Sequence, residues 1–215
     1  MSEATRILLV RHGQTAWNVA TRIQGHTDIP LDEHGRWQAE RLAEALAHEP
    51  LAAVYSSDLE RARATAEPVA RRAALPVQHD LGLRERGFGA FEGVTFAEIE
   101  QRWPEGAMRW RKRDEHFAPE GGETLRAFFE RTVAAVQRLA SAHAGQQILL
   151  VAHGGVLDCI HRAALGLSLQ APRSWQLGNA AINRLLHTGD GLRLVGWNDD
   201  AHLEVGVDGE PAGAG

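Results

Sequence analysis

The chain has 215 residues, of which 44% are hydrophobic and 24% are charged, and its formal net charge is -5. This composition supplies enough apolar side chain for a buried core, which excludes disorder along most of the length. The negative charge and the lack of an apolar run of membrane-spanning length argue against nucleic acid or a membrane as the partner, and a single cysteine excludes an intramolecular disulfide.

The first half of the chain alternates short apolar runs, which are typical of buried strands, with longer stretches of helical periodicity. Asp32 is placed to cap the amino end of the first long helix. Pro68 lies inside the second long helix and should kink it. In chain order, the predicted elements are a strand at 6–10, a helix at 33–48, a strand at 52–56, a helix at 58–74 and a strand at 76–79.

The second half resumes this alternation after an irregular stretch at 94–121. Its first helix is the clearest amphipathic pattern in the chain and leads directly into a buried strand. The alternation predicts an α/β three-layer sandwich, with a mainly parallel central sheet and helices on both faces. The predicted elements are a helix at 123–143, a strand at 147–152, a helix at 155–165 and a closing hairpin of 182–188 and 191–198.

These patterns predict one domain over residues 1–205, with a small lid insertion at about 94–121. Residues 206–215 lack apolar periodicity, and we expect them to form a flexible tail. The amino-terminal sequence does not resemble a secretory signal, so we expect a cytoplasmic protein. The carboxyl-terminal hairpin is the surface that we consider for a homodimer.

Two nearly identical heptapeptides lie about two thirds of the chain apart, ILLVRHG at 7–13 and ILLVAHG at 148–154. Each one ends a predicted strand with a His-Gly pair. Ligands of parallel α/β sheets gather at the carboxyl ends of the strands, so His12 and His153 should meet at one edge. A single histidine after a strand is more often structural, but here other polar residues accompany the pair. They are Arg11, Asn18, Arg61 and Glu85.

Six ordered motifs, from about residue 6 to residue 203, resemble those of the histidine phosphatase superfamily, which has the phosphoglycerate mutase-like fold. The motifs are LLVRHGQTAWN at 8–18, RIQG at 22–25, SSDLxRAxxTAE at 56–67, LRExxFGxFEG at 83–93, PEGGET at 119–124 and VAHGG at 151–155. The resemblance implies that His12 becomes phosphorylated and that Glu85 donates a proton. The residues that it implies for binding phosphate or substrate are Arg11, Asn18, Gln24, Gly25, Arg61, His153 and Gly154.

The chemistry of phosphoryl transfer is consistent with these roles. In-line transfer needs a nucleophile, neutralisation of the phosphoryl oxygens and a proton for the leaving alkoxide. Neutral His12 can attack if its other ring nitrogen donates a hydrogen bond, for example to a backbone carbonyl. Arg11 and Arg61 carry planar forks that match phosphate oxygens, and a protonated His153 would add positive charge. The negative charge of a bound phosphoryl group would favour the protonated form of Glu85.

This scheme requires no metal and no cofactor. The sequence has no HExxH motif, no paired cysteine ligands and no P-loop, although eleven histidines keep a metal-centred phosphatase open as an alternative. Glu85 also has a simpler interpretation, as a surface partner of Arg84 or Arg86.

The insertion at 94–121 combines aromatic and basic residues, and we interpret it as a lid that selects the substrate. The candidate lid contacts are Trp103, Arg109 and Trp110. A short helical pair packed on the core, with a solvated basic face, is the alternative.

The length of this insertion favours hydrolysis over isomerisation. It is shorter than the corresponding insertion of the glycolytic mutases in the superfamily that the chain resembles, and a shorter lid protects a phosphorylated enzyme less well from water. We therefore predict a phosphomonoesterase that hydrolyses a small phosphorylated metabolite through phosphohistidine at His12. A cofactor-dependent phosphoglycerate mutase is the alternative. A non-catalytic binder is disfavoured because every residue that the chemistry needs is present.

Overall fold

The computed structural model describes residues 3–204, and the tail predicted at 206–215 lies outside the described residues. The strands are β1 (Thr5–Arg11), β2 (Leu51–Ser56), β3 (Val77–His79), β4 (Gln147–Ala152), β5 (Ile182–Thr188) and β6 (Gly191–Asp199). The helices are α1 (Ala16–Val19), α2 (Glu33–Ala45), α3 (Glu60–Arg72), α4 (Phe96–Arg102), α5 (Pro104–Arg111), α6 (Leu125–Ser141) and α7 (Gly154–Leu165).

The six strands form one sheet in the order β3-β2-β4-β1-β5-β6. The first four strands of that order are parallel, whereas β5 and β6 pair antiparallel at one side. Buried residues of α6 and α7 pack on one face of the sheet, and those of α2 and α3 pack on the other. The predicted α/β sandwich with a mainly parallel sheet is confirmed.

The two heptapeptides form neighbouring parallel strands in register. Ile7 pairs with Ile148, and the pairing continues to Arg11 and Ala152 without a shift. The amide of His12 extends it by donating a hydrogen bond to the carbonyl of Ala152, over 2.9 Å. Both strands are covered on both faces, which explains their uninterrupted apolar sequence. His12 and His153 therefore leave the sheet side by side.

Helix ends agree with the sequence prediction to within a few residues. Asp32 caps α2 as expected, because its carboxylate accepts a hydrogen bond from the amide of Gly35 over 2.8 Å. The helix ends at Ala45, before the predicted position, and Pro50 restricts the residue that precedes it to extended backbone. Helix α3 continues through Pro68 to its end at Arg72.

The insertion at 94–121 contains the short helices α4 and α5. They pack around their own apolar cluster, in which Phe91, Ile99 and Ala107 are buried. Thr95 and Glu98 form a capping box at the start of α4, which fixes the entry into the insertion. The segment therefore has the form of the short helical pair that the sequence analysis kept as the alternative to a lid.

Among residues 3–204, no helix combines the length and the apolar composition that crossing a membrane requires. The hairpin of β5 and β6 forms one edge of the sheet, and Val195 on β6 is 61% exposed. A homodimer at this hairpin stays a prediction.

Truncation in β4 should reveal how much the covered sheet contributes to stability. Leu150 is fully buried, so Leu150→Ala should lower the free energy of unfolding by about 2–5 kcal/mol, through lost apolar burial and a cavity. Urea denaturation measures the change. Val195→Ala is the matched control at an exposed site and should stay within about 0.5 kcal/mol of the parent. Equal effects of the two substitutions would contradict this account of the core.

Candidate active site

The two histidines lie together at the carboxyl edge of β1 and β4. The centroids of the His12 and His153 rings are 5.2 Å apart, and the ring planes are inclined by 57°. Both side chains are buried, with exposed fractions of 3% and 0%. The expectation that the two histidines meet at one edge of the sheet is confirmed.

The hydrogen bonding of His12 leaves one ring nitrogen available. Nδ1 lies 2.7 Å from the carbonyl oxygen of Gly13, and a carbonyl can only accept, so Nδ1 carries the proton and Nε2 keeps its lone pair. Burial, followed by the charges of Arg61 and Arg11, lowers the pKa of His12 well below its usual 6.5. His12 is therefore a neutral imidazole near pH 7.

Two side chains hold the turn that carries His12. Asn179 donates a hydrogen bond from Nδ2 to the His12 carbonyl over 2.8 Å. The Gly13 amide donates to Oγ1 of Thr65 over 2.9 Å, and Thr65 in turn donates to the Arg61 carbonyl. The position of the imidazole is thus set from both α3 and the segment before β5.

Two arginines, one buried and one half-buried, flank the histidines. Arg61, in the first turn of α3, is fully buried and donates to the carbonyls of Thr27 and Gly25 over 3.0 and 2.8 Å. Arg11, the last residue of β1, donates from Nη1 to the carbonyl of Leu177 over 2.7 Å. Burial lowers the pKa of Arg61 to about 10 and also lowers that of Arg11. Both remain charged near neutral pH.

The positive charge of these arginines is not compensated by an ion pair within the described part of the chain. Their hydrogen bonds go to backbone carbonyls, and Nε of each has no partner among residues 3–204. The charge of Glu85 opposes the effect of burial on the pKa of both, so its carboxylate is near them. Buried charges are normally paired, so this arrangement favours a bound anion.

His153 differs from the expectation of a protonated side chain. Its Nε2 lies 2.7 Å from Oγ of Ser57, and Nδ1 has no partner in the described chain. Burial, and then the charges of Arg61, His12 and Arg11, lower its pKa well below 6.5. The protein's own groups therefore favour a neutral His153, and only a bound anion would favour the imidazolium.

Glu85 lies at the amino end of α7. Its Oε2 accepts a hydrogen bond from the Gly155 amide over 3.0 Å, and Oε1 accepts from the Arg86 amide over 2.8 Å. The side chains of Arg84 and Arg86 bind elsewhere, to Asp58 and to backbone carbonyls. The simpler interpretation of Glu85, as their surface partner, does not describe the structure.

The remaining predicted site residues contact or adjoin the residues described above. Gln24 is buried and its Oε1 has no partner among the described residues, while the carbonyl of Gly25, at a φ of +54°, holds Arg61. Gly154 packs against Arg11, because a Cβ there would lie 3.4 Å from Nε. Asn18 accepts from the amide of Thr15, so its side-chain oxygen caps α1.

Of the three candidate lid contacts, Trp110 alone lines a cavity together with a predicted catalytic residue. Trp110 lines a cavity of about 190 Å³ together with Glu85. Trp103 and Arg109 line a different pocket, of about 470 Å³, which contains none of the predicted catalytic residues. Arg109 is held there by Asp114 at 2.8 Å and by stacking on Phe117. Trp103 packs against the apolar cluster of the insertion, and Arg109 stacks on Phe117, so both border a cavity other than the one that Glu85 lines. A lid role for these two residues stays a prediction.

Within residues 3–204, no group of three or more His, Cys, Asp or Glu side chains is arranged to hold a metal ion. The charges that converge on the pocket come from arginines. They can bind an anion directly.

Comparison with known proteins identifies the family. The model of the histidine phosphatase superfamily (branch 1) matches residues 7–200. The chain belongs to this superfamily. Phosphoglycerate mutase-like protein 4 of Arabidopsis thaliana is 38% identical, over 92% of this chain and 86% of that protein. Metal-independent phosphoserine phosphatase of Arabidopsis thaliana is 36% identical, over 94% and 84%.

A solved structure supports the same assignment. Mycobacterial glucosyl-3-phosphoglycerate phosphatase, solved as a complex with VO3, superposes on this histidine phosphatase superfamily member with a TM-score of 0.81. The two are 35% identical, and the match covers 91% of this chain and 99% of that chain. The family that the six motifs predicted is confirmed.

Several residues that shape the pocket of this superfamily member were missed by the sequence analysis. Ser57 directly follows β2, so its place at the carboxyl end of a strand was a usable signal. Thr65 lies one turn after Arg61 in α3, and helical spacing could have suggested it. Asn179 and the Leu177 carbonyl belong to a segment without a distinct pattern, and nothing in the sequence pointed to them.

Gly155 should be required for the position of Glu85. A Cβ at this residue would lie 2.1 Å from Oε1 of Glu85, so Gly155→Ala should displace the carboxylate and lower kcat by about 10²-fold or more. Steady-state phosphatase kinetics measure the loss. The matched control is Gly196→Ala, where a Cβ makes an ordinary contact of 4.0 Å with Arg184. Full activity in Gly155→Ala would contradict the assigned contact.

The buried histidines should make stability depend on pH. A histidine whose pKa is lowered in the folded state takes up its proton on unfolding, so this stability is complete above about pH 6.5 and is lost as the pH falls below it. His12→Asn should reduce the slope of unfolding free energy against pH, between about pH 6.5 and 5.5, by up to about 1.4 kcal/mol per pH unit. Urea denaturation at several pH values measures it. An unchanged slope would show that His12 does not titrate this way.

Proposed function

We propose that this protein is a phosphomonoesterase that hydrolyses a small phosphorylated metabolite through a phosphohistidine intermediate on His12. The observation that carries the proposal is a pair of guanidinium groups without an ion pair among the described residues, buried Arg61 and half-buried Arg11, beside a neutral imidazole with a free Nε2. A phosphoryl group supplies the missing negative charge and presents an electrophile to that nitrogen.

In the first step, Nε2 of His12 attacks phosphorus in line with the ester oxygen. The P–N bond forms as the P–O bond to the leaving group breaks, and the Nδ1–H bond to the Gly13 carbonyl stabilises the charge that develops on the ring. Arg11 and Arg61 neutralise the equatorial oxygens. Glu85 gives its proton to the departing alkoxide, which leaves as the free alcohol.

In the second step, water replaces the alcohol. Glu85, now a carboxylate, takes a proton from the water as its oxygen attacks the phosphorus of phosphohistidine. The P–N bond breaks, inorganic phosphate forms and the lone pair returns to Nε2 of His12. His153, held by Ser57, faces the same anion, and its protonation follows from the negative charge of the bound phosphoryl group.

The other pocket residues support the same anion. Gly154 packs against Arg11, and Gln24 precedes Gly25, whose carbonyl orients Arg61, so we assign Gln24 and Gly154 to phosphate binding. Asn18 acts through α1 and its neighbour Asn179, whose amide lies 3.5 Å from Asn18 Oδ1. No metal or cofactor takes part in these steps.

Hydrolysis is favoured over a mutase reaction by access to water. A cavity of about 600 Å³ is lined by Arg11, the residue before His12, and by Gly154, and we infer that water reaches phosphohistidine from it. Two of the similar proteins are phosphatases by name, for phosphoserine and for glucosyl-3-phosphoglycerate, which supports a small phosphate ester as the substrate. From the sequence alone we also infer a cytoplasmic location and a homodimer at the carboxyl-terminal hairpin.

The proposal is tested by phosphate release from a panel of phosphate esters. The parent should release phosphate at the same rate with and without a strong chelator, and His12→Ala should lower kcat by about 10⁴-fold or more. A radiolabelled phosphoryl group should remain on the parent protein after an alkaline quench and be absent from His12→Ala.

Arg193→Gln, on the exposed hairpin, is the control and should keep full activity. Interconversion of phosphoglycerates that exceeds phosphate release would favour the mutase. Loss of activity with the chelator would favour a metal-centred enzyme. Binding of a phosphate ester without either reaction would favour the non-catalytic binder.

A further inference from the structure

Arg173 lies in the loop between α7 and β5 and borders the catalytic pocket from two sides. It lines the open cavity of about 600 Å³ that Arg11 and Gly154 also line. It also lines the smaller cavity of about 190 Å³, together with Glu85 and Gly155. One guanidinium is therefore placed between the groups assigned to the phosphoryl group and the group assigned to the leaving alcohol.

Arg173 makes no hydrogen bond or ion pair within the described part of the chain. The other two arginines of the smaller cavity are engaged: Arg113 pairs with Asp158 at 2.6 Å, and Arg86 donates to two backbone carbonyls. Although burial is the main cause, the charge of Arg173 also lowers the pKa of Arg11, which shows that the two cations are close. The free positive charge on the leaving-group side belongs to Arg173.

The backbone around Arg173 is held on both sides. Before it, the Ser168 carbonyl accepts from Arg162 over 2.6 Å. After it, Trp175 stacks on His161 with the ring centroids 4.0 Å apart, and the Leu177 carbonyl accepts from Arg11. The loop is thus attached to the same arginine that flanks His12.

The smaller cavity limits the size of the group that Arg173 can meet. Its volume of about 190 Å³ equals that of about six water molecules, at ~30 Å³ each, which suits a leaving group of a few carbon atoms. Phe88, Trp110 and Phe128 supply apolar lining. A short carbon chain fits against these rings, and a compact anion at its end would meet the planar fork of the arginine.

We propose that Arg173 is a specificity-determining residue that binds a carboxylate on the leaving group, so that phosphorylated hydroxy acids are the preferred substrates. The inference rests on the proposed phosphomonoesterase function. In this proposal Arg173 discriminates between esters whose leaving group carries a carboxylate and esters whose leaving group is neutral. The residues already described carry out the phosphoryl transfer.

Two esters of nearly the same shape test this inference. 3-Phosphoglycerate and glycerol 3-phosphate differ in a carboxylate against a hydroxymethyl group, at the end remote from the phosphate. The parent should prefer 3-phosphoglycerate. Arg173→Gln should lower kcat/KM for 3-phosphoglycerate by about tenfold, mainly through KM, and change that for glycerol 3-phosphate by less than about twofold.

Arg6→Gln is the matched control, because Arg6 is also exposed but lies near the amino end of β1, away from the pocket. It should leave both esters unaffected. Inhibition by inorganic phosphate should be unchanged in Arg173→Gln, since the phosphoryl site is intact.

An equal loss for both esters would overturn the inference, because Arg173 would then act on the phosphoryl group or on the fold. An unchanged ratio, or a parent that prefers glycerol 3-phosphate, would overturn it as well. Hydrolysis of p-nitrophenyl phosphate, measured in the same samples, separates the two proposals. If the protein hydrolyses p-nitrophenyl phosphate but not 3-phosphoglycerate, the proposed carboxylate site is wrong and the proposed phosphatase activity is retained.

Discussion

The parallel, in-register pairing of β1 with β4 is the constraint on which the site depends. Neighbouring strands are about 4.8 Å apart, so two side chains that follow equivalent positions must emerge at about that spacing. The rings of His12 and His153 lie 5.2 Å apart for this reason. A shift of one residue in either strand would turn the apolar side chains to the wrong faces, so the hydrophobic core that fixes the register also fixes the pair.

The site keeps guanidinium groups that are removed from water without an ion pair in the described part of the chain, and this desolvation lowers the stability of the fold. Many charged side chains near it are paired, such as Arg84 with Asp58 and Arg113 with Asp158, whereas buried Arg61 and half-buried Arg11 donate only to carbonyl oxygens. Carbonyl dipoles offset part of the desolvation of a guanidinium but leave its charge. The fold tolerates this because the central strands are covered on both faces, and it thereby keeps a pocket in which an anion gains more than it would in water.

The sequence was most informative where one local rule decides the structure. The buried run of β4 and the hairpin of β5 and β6 were predicted nearly to the residue, and the Asp32 cap needed only the spacing of a helix start. The motifs located the histidines, the arginines and Glu85, which lie at or beyond the carboxyl ends of strands. Asn179 and the Leu177 carbonyl could not be found, since their contacts join residues more than a hundred positions apart. The packing of the insertion at 94–121 is equally nonlocal, so the sequence could not show that Trp103 and Arg109 line a separate cavity.

The hydrogen bond from Arg11 to the Leu177 carbonyl has an evolutionary consequence. Because the loop that carries Arg173 also braces Arg11, an insertion or deletion there would displace both guanidinium groups together. During evolution, single side chains on the surface of the loop between α7 and β5 can therefore be replaced, whereas the length of this loop is constrained. New preferences in such a lineage should arise by point replacement within an unchanged backbone.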